Sequence, residues 1–588
     1  MLIMGMLSVG YAAEGASADA TISVSGLEAG DTVNFYQVLK YDETATVTGG
    51  WVAATGFTLS NTQIQKMLGL DSTGKPVTIT EANRDQYGID AALAGSISLM
   101  AQADGVSPRF ANVAASEGTA TQATTAIGDA GLYIALVTPG TVDYLYNPVF
   151  VAADYTEGGT NSQAAVMTAS YSPEALAKKE QVTLTKEVTS TANGTDAAGA
   201  TGGNTKYDVD IGDTIEFTIS SKVPAYSTAY QNPTYVITDT MESGLEVDGT
   251  PTVTVAGITL AAEDYTVAVA ANKLSFTVTM NPSGLTKVAA TGVAQAITVV
   301  YNAKITSLEN ATVTEKENEA TVKFSNNPDD STSYSLLEDK TRNYTFSIDA
   351  SLLGYTGTSY ETDELIKVGL KADGTPATTT QKYRSGTTWT DLSPLAGAQF
   401  GLYTDSACTT PYTNTVFNGT VTSDATGRLN ITGLDCGTYY LKEISAPTGY
   451  IADNRTFTIT IAATYEHIEG GQYTKEIDGK NITVRYDGYD VLKGYTVAVN
   501  DGTDTTTSTY NIENAGPTDH KKVDKATYQQ ITGEDMAGDA VTPISNTQGT
   551  QLPSTGGMGT TILYVGGSIL VILAAILLIT KRRMNAED

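Results

Sequence analysis

Residues 213–223 read DTIEFTISSKV. Ile215, Phe217 and Ile219 alternate with Glu216, Thr218 and Ser220. Successive side chains of an extended strand point to opposite faces, so this period of two predicts a strand with one buried and one solvated face. The stretches ATISVSGL (20–27), KLSFTVTM (273–280) and AITVVYNAKI (296–305) read the same way, and Gly, Asn and Asp break the chain between them. Regular strand spacing over such a distance favours a string of β-sandwiches. The fold class is therefore mainly β, in tandem sandwich domains. The best helical stretch is TEANRDQYGIDAALAGSISLMAQ (80–102), near the start.

The chain has 588 residues and a formal net charge of −31. That sign argues against nucleic acid, whose phosphates need a basic surface. His467 and His520 lie in unrelated polar stretches, so no metal cluster and no Ser-His-Asp arrangement is expected, and no cofactor is called for. No paired carboxylates or nucleophile–base set stand out, and the chain is read as a non-enzyme. Cys408 and Cys436 are its two cysteines. Outside a cell they suit a single disulfide, with two buried free thiols as the alternative.

The outside location comes from the C-terminal end. Thr561 to Thr580 carries no charge, and twenty helical residues span about 30 Å, enough to cross a bilayer core. Lys581, Arg582 and Arg583 follow, and clustered cations favour the cytoplasmic side. Just before the span stands Leu552-Pro553-Ser554-Thr555-Gly556-Gly557, which a plain anchor does not require. At the other end, apolar Met1–Val9 and the small residues Ala16-Ser17-Ala18 look like the back half of a secretory signal. The expected division is a partial signal peptide (1–18) and three ectodomains (19–178, 179–340 and 341–548). A sorting segment (549–560), a transmembrane helix (561–580) and a basic cytoplasmic tail (581–588) follow.

Period two also puts polar groups on apolar faces. In QVTLTKEV, Lys186 shares a face with Val182, Leu184 and Val188; in TYVITDTM, Asp239 shares one with Tyr235, Ile237 and Met241. In TVKFSNNP, Asn326 lies on the face of Val322 and Phe324. The third ectodomain repeats the theme with Lys367 beside Leu365, Glu443 beside Tyr439 and Leu441, and Asn546 beside Ile544. A buried Lys, acid and Asn would be costly unless they met. Desolvation lowers a lysine pKa and raises that of a carboxylic acid. A neutral amine beside a protonated acid could then attack the Asn carbonyl, expel ammonia and leave a Lys–Asn isopeptide bond. The other reading makes each a strand-end residue bonded to water or backbone.

LPSTGG, the apolar span and the basic tail resemble the LPXTG sorting signal of Gram-positive surface proteins. YYLKEISAPTGY (439–450) resembles the E-box of sortase-assembled pilins, with Ile444 in place of the usual Thr. LAGAQFGLY (395–403) resembles the opening strands of Cna-B-type domains, and YDVDIGDTIEFTIS (207–220) with YVITDTM (235–241) resembles the second domain of major backbone pilins. The chain is thus similar to the sortase-assembled major backbone pilins of Gram-positive bacteria. The resemblance implies tandem Ig-like, Cna-type sandwiches and a covalent fibre. It favours isopeptide bonds Lys186–Asn326, promoted by Asp239, and Lys367–Asn546, promoted by Glu443. Lys371 and Asn514 are the alternatives in the third domain. It also implies that a sortase cysteine attacks the Thr555 carbonyl and releases Gly556. A lysine of another copy then resolves the acyl-enzyme. The family's Tyr-Pro-Lys motif is matched in part by Tyr171 and Pro173, so the polymerising amine is placed at Lys178 or Lys179, ahead of Lys40, Lys66 and Lys75. The implied partners are pilin-specific and housekeeping sortases, further copies of the chain and peptidoglycan, with minor pilins and host ligands as candidates. The competing reading is a monomeric wall-anchored adhesin or a minor pilin that binds a host or matrix ligand.

Overall fold

The computed structural model describes residues 20–153, 171–192, 207–308, 313–326, 333–348, 359–511, 542–549 and 558–584, apart from positions 43, 125–126, 228–229, 231, 362–363, 386–387 and 478. Strands dominate, arranged in mostly antiparallel sheets that face one another.

In the first ectodomain the strand Thr32–Tyr41 lies between Trp51–Ala53 and Gly131–Thr138. One face of this sheet, with Val38, Leu132 and Ile134, packs on the helices Asn61–Leu68 and Ala91–Ala101 through Ile64, Met67, Leu93 and Ile97. The other face, with Val33, Phe35, Tyr133 and Val151, packs on Ile22, Val24 and Ala120. The second helix begins at Asp90, whose carboxylate caps the Leu93 N–H at 2.8 Å. The expected helical stretch therefore holds a short 3-10 turn at Arg84–Gln86 and one α-helix in its second half. The strand Ala20–Ser25 pairs in parallel with Glu174–Leu176, so the end of the domain returns to its beginning.

The second ectodomain is a sandwich. Leu184–Ala192, Thr214–Val223, Gln295–Ile305 and Leu245–Val255 form one sheet in that order. The facing sheet runs through Tyr265–Val269, Ser275–Met280, Tyr235–Met241, Val313–Ser325 and Tyr334–Ile348. Ile215, Phe217 and Ile219 all point into the core between them.

The last strand does not stop at the domain edge. Tyr334–Ile348 has 15 residues and spans about 50 Å at the usual rise. Leu337 lies in the second core, whereas Tyr344, Phe346 and Ile348 lie in the third. Its partner Val313–Ser325 does the same, with Phe324 in one core and Val313 in the other. The division expected at 340/341 thus falls inside a strand. A hairpin of the third region, Gly471–Ile477 and Lys480–Tyr486, joins this sheet in parallel at Leu336–Glu338. Its Arg485 forms an ion pair with buried Asp143 of the first ectodomain. Arg342, fully buried at the junction, is held by Glu315 at 3.0 Å, by Glu317 at 2.5 Å and by the Tyr489 ring, 4.4 Å from its centroid.

The third region pairs a six-stranded sheet containing Gln399–Tyr403, Gly437–Ser445 and Thr456–Ile468 with a small sheet of Leu365–Leu370, Thr542–Gln548 and Tyr450–Ile451. Asp210 enters it from the second ectodomain and accepts hydrogen bonds from the Tyr412 hydroxyl (2.6 Å) and the Asp435 N–H (2.7 Å). Asp208, Asp435 and Cys436 cluster beside it, all buried. Burial raises Asp208 and pushes Asp435 up to about 10.

The expected Cys408–Cys436 disulfide is not present; both thiols are free. Cys436 precedes Gly437, which pairs with Ile461, while Cys408 Sγ lies 3.8 Å from the Thr456 hydroxyl. Strand residues 456 to 461 separate the two positions, about 17 Å at the usual rise. A disulfide tolerates Cα atoms no more than about 7 Å apart.

Candidate cross-link sites

The first candidate site lies between the two sheets of the second ectodomain. Lys186 and Tyr301 come from one sheet, Asp239 and Asn318 from the other. All four are buried. Lys186 Nζ sits 5.1 Å from the ring centroids of Phe217 and of Tyr301 and forms an ion pair with Asp239 Oδ2. The Tyr301 hydroxyl is 2.5 Å from Lys186 Nζ and 3.0 Å from Asp239 Oδ2, and accepts a hydrogen bond from Asn318 Nδ2 at 2.8 Å. Burial lowers the Lys186 pKa and raises that of Asp239, against their mutual attraction. Both shifts favour a neutral amine facing a neutral acid.

Asn326, expected here, is elsewhere. It lies just beyond the end of the strand Val313–Ser325, where it donates to the Ser335 hydroxyl (3.1 Å) and accepts from the Ser333 hydroxyl (2.7 Å). The structure instead brings Asn318 to the Tyr301 hydroxyl that Lys186 also contacts. Asn318, Ala320, Val322, Phe324 and Asn326 share one parity, so Asn318 belongs to the same strand face as Asn326, eight residues before it. Followed backward, the alternation reaches Asn318, but Glu315, Lys316, Glu317 and Glu319 surround it and hide the pattern. In the structure Glu317 and Glu319 pair with Lys340.

The second candidate site holds the expected set. Lys367 on Leu365–Leu370 and Asn546 on Thr542–Gln548 belong to neighbouring parallel strands, in which Lys367 is level with Ile544. Glu443 faces them from the six-stranded sheet. Its Oε2 lies 3.1 Å from Lys367 Nζ and accepts from Asn546 Nδ2 and from the Asp453 N–H, both at 2.8 Å. Lys367 and Asn546 are 0% exposed, and the Phe400 centroid lies 5.2 Å from Nζ. Burial lowers the Lys367 pKa. The alternative Lys371 is exposed in the turn after its strand. Asn514 lies outside the described residues, as do residues 1–18 and Leu552, Pro553, Ser554, Thr555 and Gly556.

The lysines before the second ectodomain differ in setting. Lys178 is exposed, with Nζ 2.8 Å from the Gly292 carbonyl oxygen. Lys179 is half-buried, paired with Glu28 and 5.3 Å from the Tyr144 centroid. Lys66 is paired with Asp90 at 2.5 Å; Lys40 and Lys75 are exposed. At the other end, the helix Met558–Met584 contains an apolar window, Val565–Arg582, of mean hydropathy 1.9, long enough to cross a membrane.

Residues 211–328 match the family model of the Gram-positive pilin backbone subunit 2, a Cna-B-like domain. Residues 388–474 match the SpaA prealbumin-like fold domain, and residues 544–586 match the LPXTG cell wall anchor motif. The chain thus carries matches to a Gram-positive pilin-backbone domain and to a wall-anchor motif. It is 25% identical over 485 residues, 77% of its length, to the trypsin-resistant surface T6 protein of Streptococcus pyogenes serotype M6, covering 79% of that protein. Among solved structures it is similar to the T6 backbone pilin of serotype M6 Streptococcus pyogenes, with a TM-score of 0.50 and 17% identity over 91% of this chain and 99% of that one. It is also similar to the full-length major pilin SpaD of Corynebacterium diphtheriae, with a TM-score of 0.40 and 17% identity over 74% and 89% of the two chains. The pilin-backbone match takes in Asp239, Tyr301 and Asn318, and the anchor match takes in Asn546 with the sorting motif. The anchor-motif match and the apolar helix indicate a surface protein anchored to the cell wall.

Proposed function

We propose that this chain is the shaft subunit of a covalently polymerised pilus, and that it carries two self-made amide bonds, Lys186–Asn318 and Lys367–Asn546. The observation that carries the reading is the conjunction of two buried Lys–acid–Asn sets with a C-terminal match to a wall-anchor motif. A sortase opens the chain between Thr555 and Gly556, and the apolar helix holds it at the membrane until then. The chain is a substrate in that step and acts as no enzyme toward other molecules. A pilin-specific sortase joins copies, a housekeeping sortase moves the finished fibre to peptidoglycan, and minor pilins add to it.

Lys178 supplies the joining amine. Its ammonium is exposed, whereas Lys179 is engaged by Glu28 and Tyr144. Replacement by Arg keeps the charge but removes a usable nucleophile, because guanidinium stays protonated. Wall extracts of cells carrying Lys178→Arg, blotted for the pilin, should lose the high-mass ladder, and Lys179→Arg should keep it. A single narrow band from the wild type would instead mean a monomeric wall-anchored adhesin.

A further inference from the structure

The two candidate sites differ in one respect. In the third region a carboxyl oxygen touches both Lys and Asn directly. In the second ectodomain no hydrogen bond joins Asp239 to Asn318; the Tyr301 hydroxyl stands between them and touches Lys186 as well. Asp is one methylene shorter than Glu, and the phenol fills the missing reach. We propose that Tyr301 is a catalytic relay in the formation of the Lys186–Asn318 bond, carrying the proton of the Asp239 carboxyl group to the amide nitrogen that leaves Asn318. The proposal rests on the cross-linking reading above.

The geometry sets the order of transfers. Lys186 Nζ, as a neutral amine, attacks Cγ of Asn318 and a C–N bond forms. Tyr301 gives its hydroxyl proton to Nδ2, 2.8 Å away, and takes one from Asp239, 3.0 Å away. The Asp239 carboxylate accepts the proton that the attacking nitrogen must lose. The Cγ–Nδ2 bond breaks, ammonia leaves, and Tyr301 and Asp239 end as they began. Burial holds the Tyr301 phenol far above its usual range, so the hydroxyl keeps a proton to pass. Its ring is fixed by stacking on Phe217 (5.3 Å between centroids) and by an edge contact with Phe276 (4.7 Å). A phenylalanine can keep both ring contacts and lose only the relay.

The test follows pulse-labelled full-length chains over time and quantifies the Lys186–Asn318 peptide, lighter by one ammonia, after digestion. General acid–base assistance contributes about 100-fold or more, so Tyr301→Phe should form this bond at least about 100-fold more slowly than the wild type. The Lys367–Asn546 bond in the same molecules should form at its normal rate, reporting an intact fold. Asp239→Glu added to Tyr301→Phe lengthens the carboxyl and should restore the bond, by copying the Glu443 arrangement. Formation at the wild-type rate in Tyr301→Phe overturns the relay and leaves the cross-link standing. Failure of the double variant to recover the bond overturns the reach argument and the relay with it. Absence of the bond from the wild type overturns the cross-linking reading itself.

Discussion

Glu443 and Asn546 are joined by a hydrogen bond of 2.8 Å, and the same carboxyl oxygen holds Lys367 Nζ at 3.1 Å. One oxygen therefore touches both the nucleophile and the leaving group of the proposed third-region bond. That contact depends on the parallel pairing of Leu365–Leu370 with Thr542–Gln548, which brings the last ectodomain strand back beside the first of its sheet.

Glu443→Ala should leave Lys367 and Asn546 unlinked. The lost link closes a loop from residue 367 to residue 546, a constraint worth about 5 kcal/mol on the chain-entropy model of cross-links. Calorimetry should show the third-region transition at a markedly lower temperature, with the second-ectodomain transition little changed.

Asn318→Ala and Asn326→Ala should separate cleanly. The first removes the amide that shares the Tyr301 hydroxyl with Lys186, so peptide mapping should find the second-ectodomain bond absent. The second removes only the contacts with Ser333 and Ser335 and should leave the bond in place.

Much of this was legible in the sequence, and the misses have physical causes. Lys367, Glu443 and Asn546 sit among apolar neighbours in strands short enough for the alternation to mark each one. Asn318 sits where Val313–Ser325 crosses from one core to the next, and outward-facing charges there pair with a neighbouring strand. Tyr301 shares the apolar face of AITVVYNAKI with Ile297 and Val299 like any core aromatic; nothing in one strand shows that its hydroxyl meets three partners from three others. The shared strand Tyr334–Ile348 is invisible for a similar reason, since period two does not say which core a side chain enters. Cys408 and Cys436 are close in sequence, but their places along a strand pair keep them apart.

Stability at the junction should fall as pH rises. Folded Asp435 keeps its proton up to about pH 10, while an unfolded Asp loses it near pH 4. The folded state thus binds more protons across that interval, so its advantage is full below about pH 4 and is lost progressively toward pH 10. Asp339, pushed up to about 7 by burial, acts in the same direction. Urea midpoints should drop between pH 5 and pH 9, and Asp435→Asn, which imitates the protonated acid, should flatten that dependence (both pH values chosen inside the interval, roughly pH 4–10).

Thiol titration of denatured, unreduced protein should find both Cys408 and Cys436 reactive. In the native chain Cys436 should be protected, because it is 2% exposed and burial raises its thiol pKa, which disfavours the reactive thiolate.

The most direct measurement is the intact mass of the wild-type chain, with mapping of its cross-linked peptides. The account predicts a mass two ammonia molecules below that of the sequence actually present, with one link joining Lys186 to Asn318 and the other Lys367 to Asn546. A mass equal to that of the sequence, with all four residues recovered in linear peptides, would contradict it.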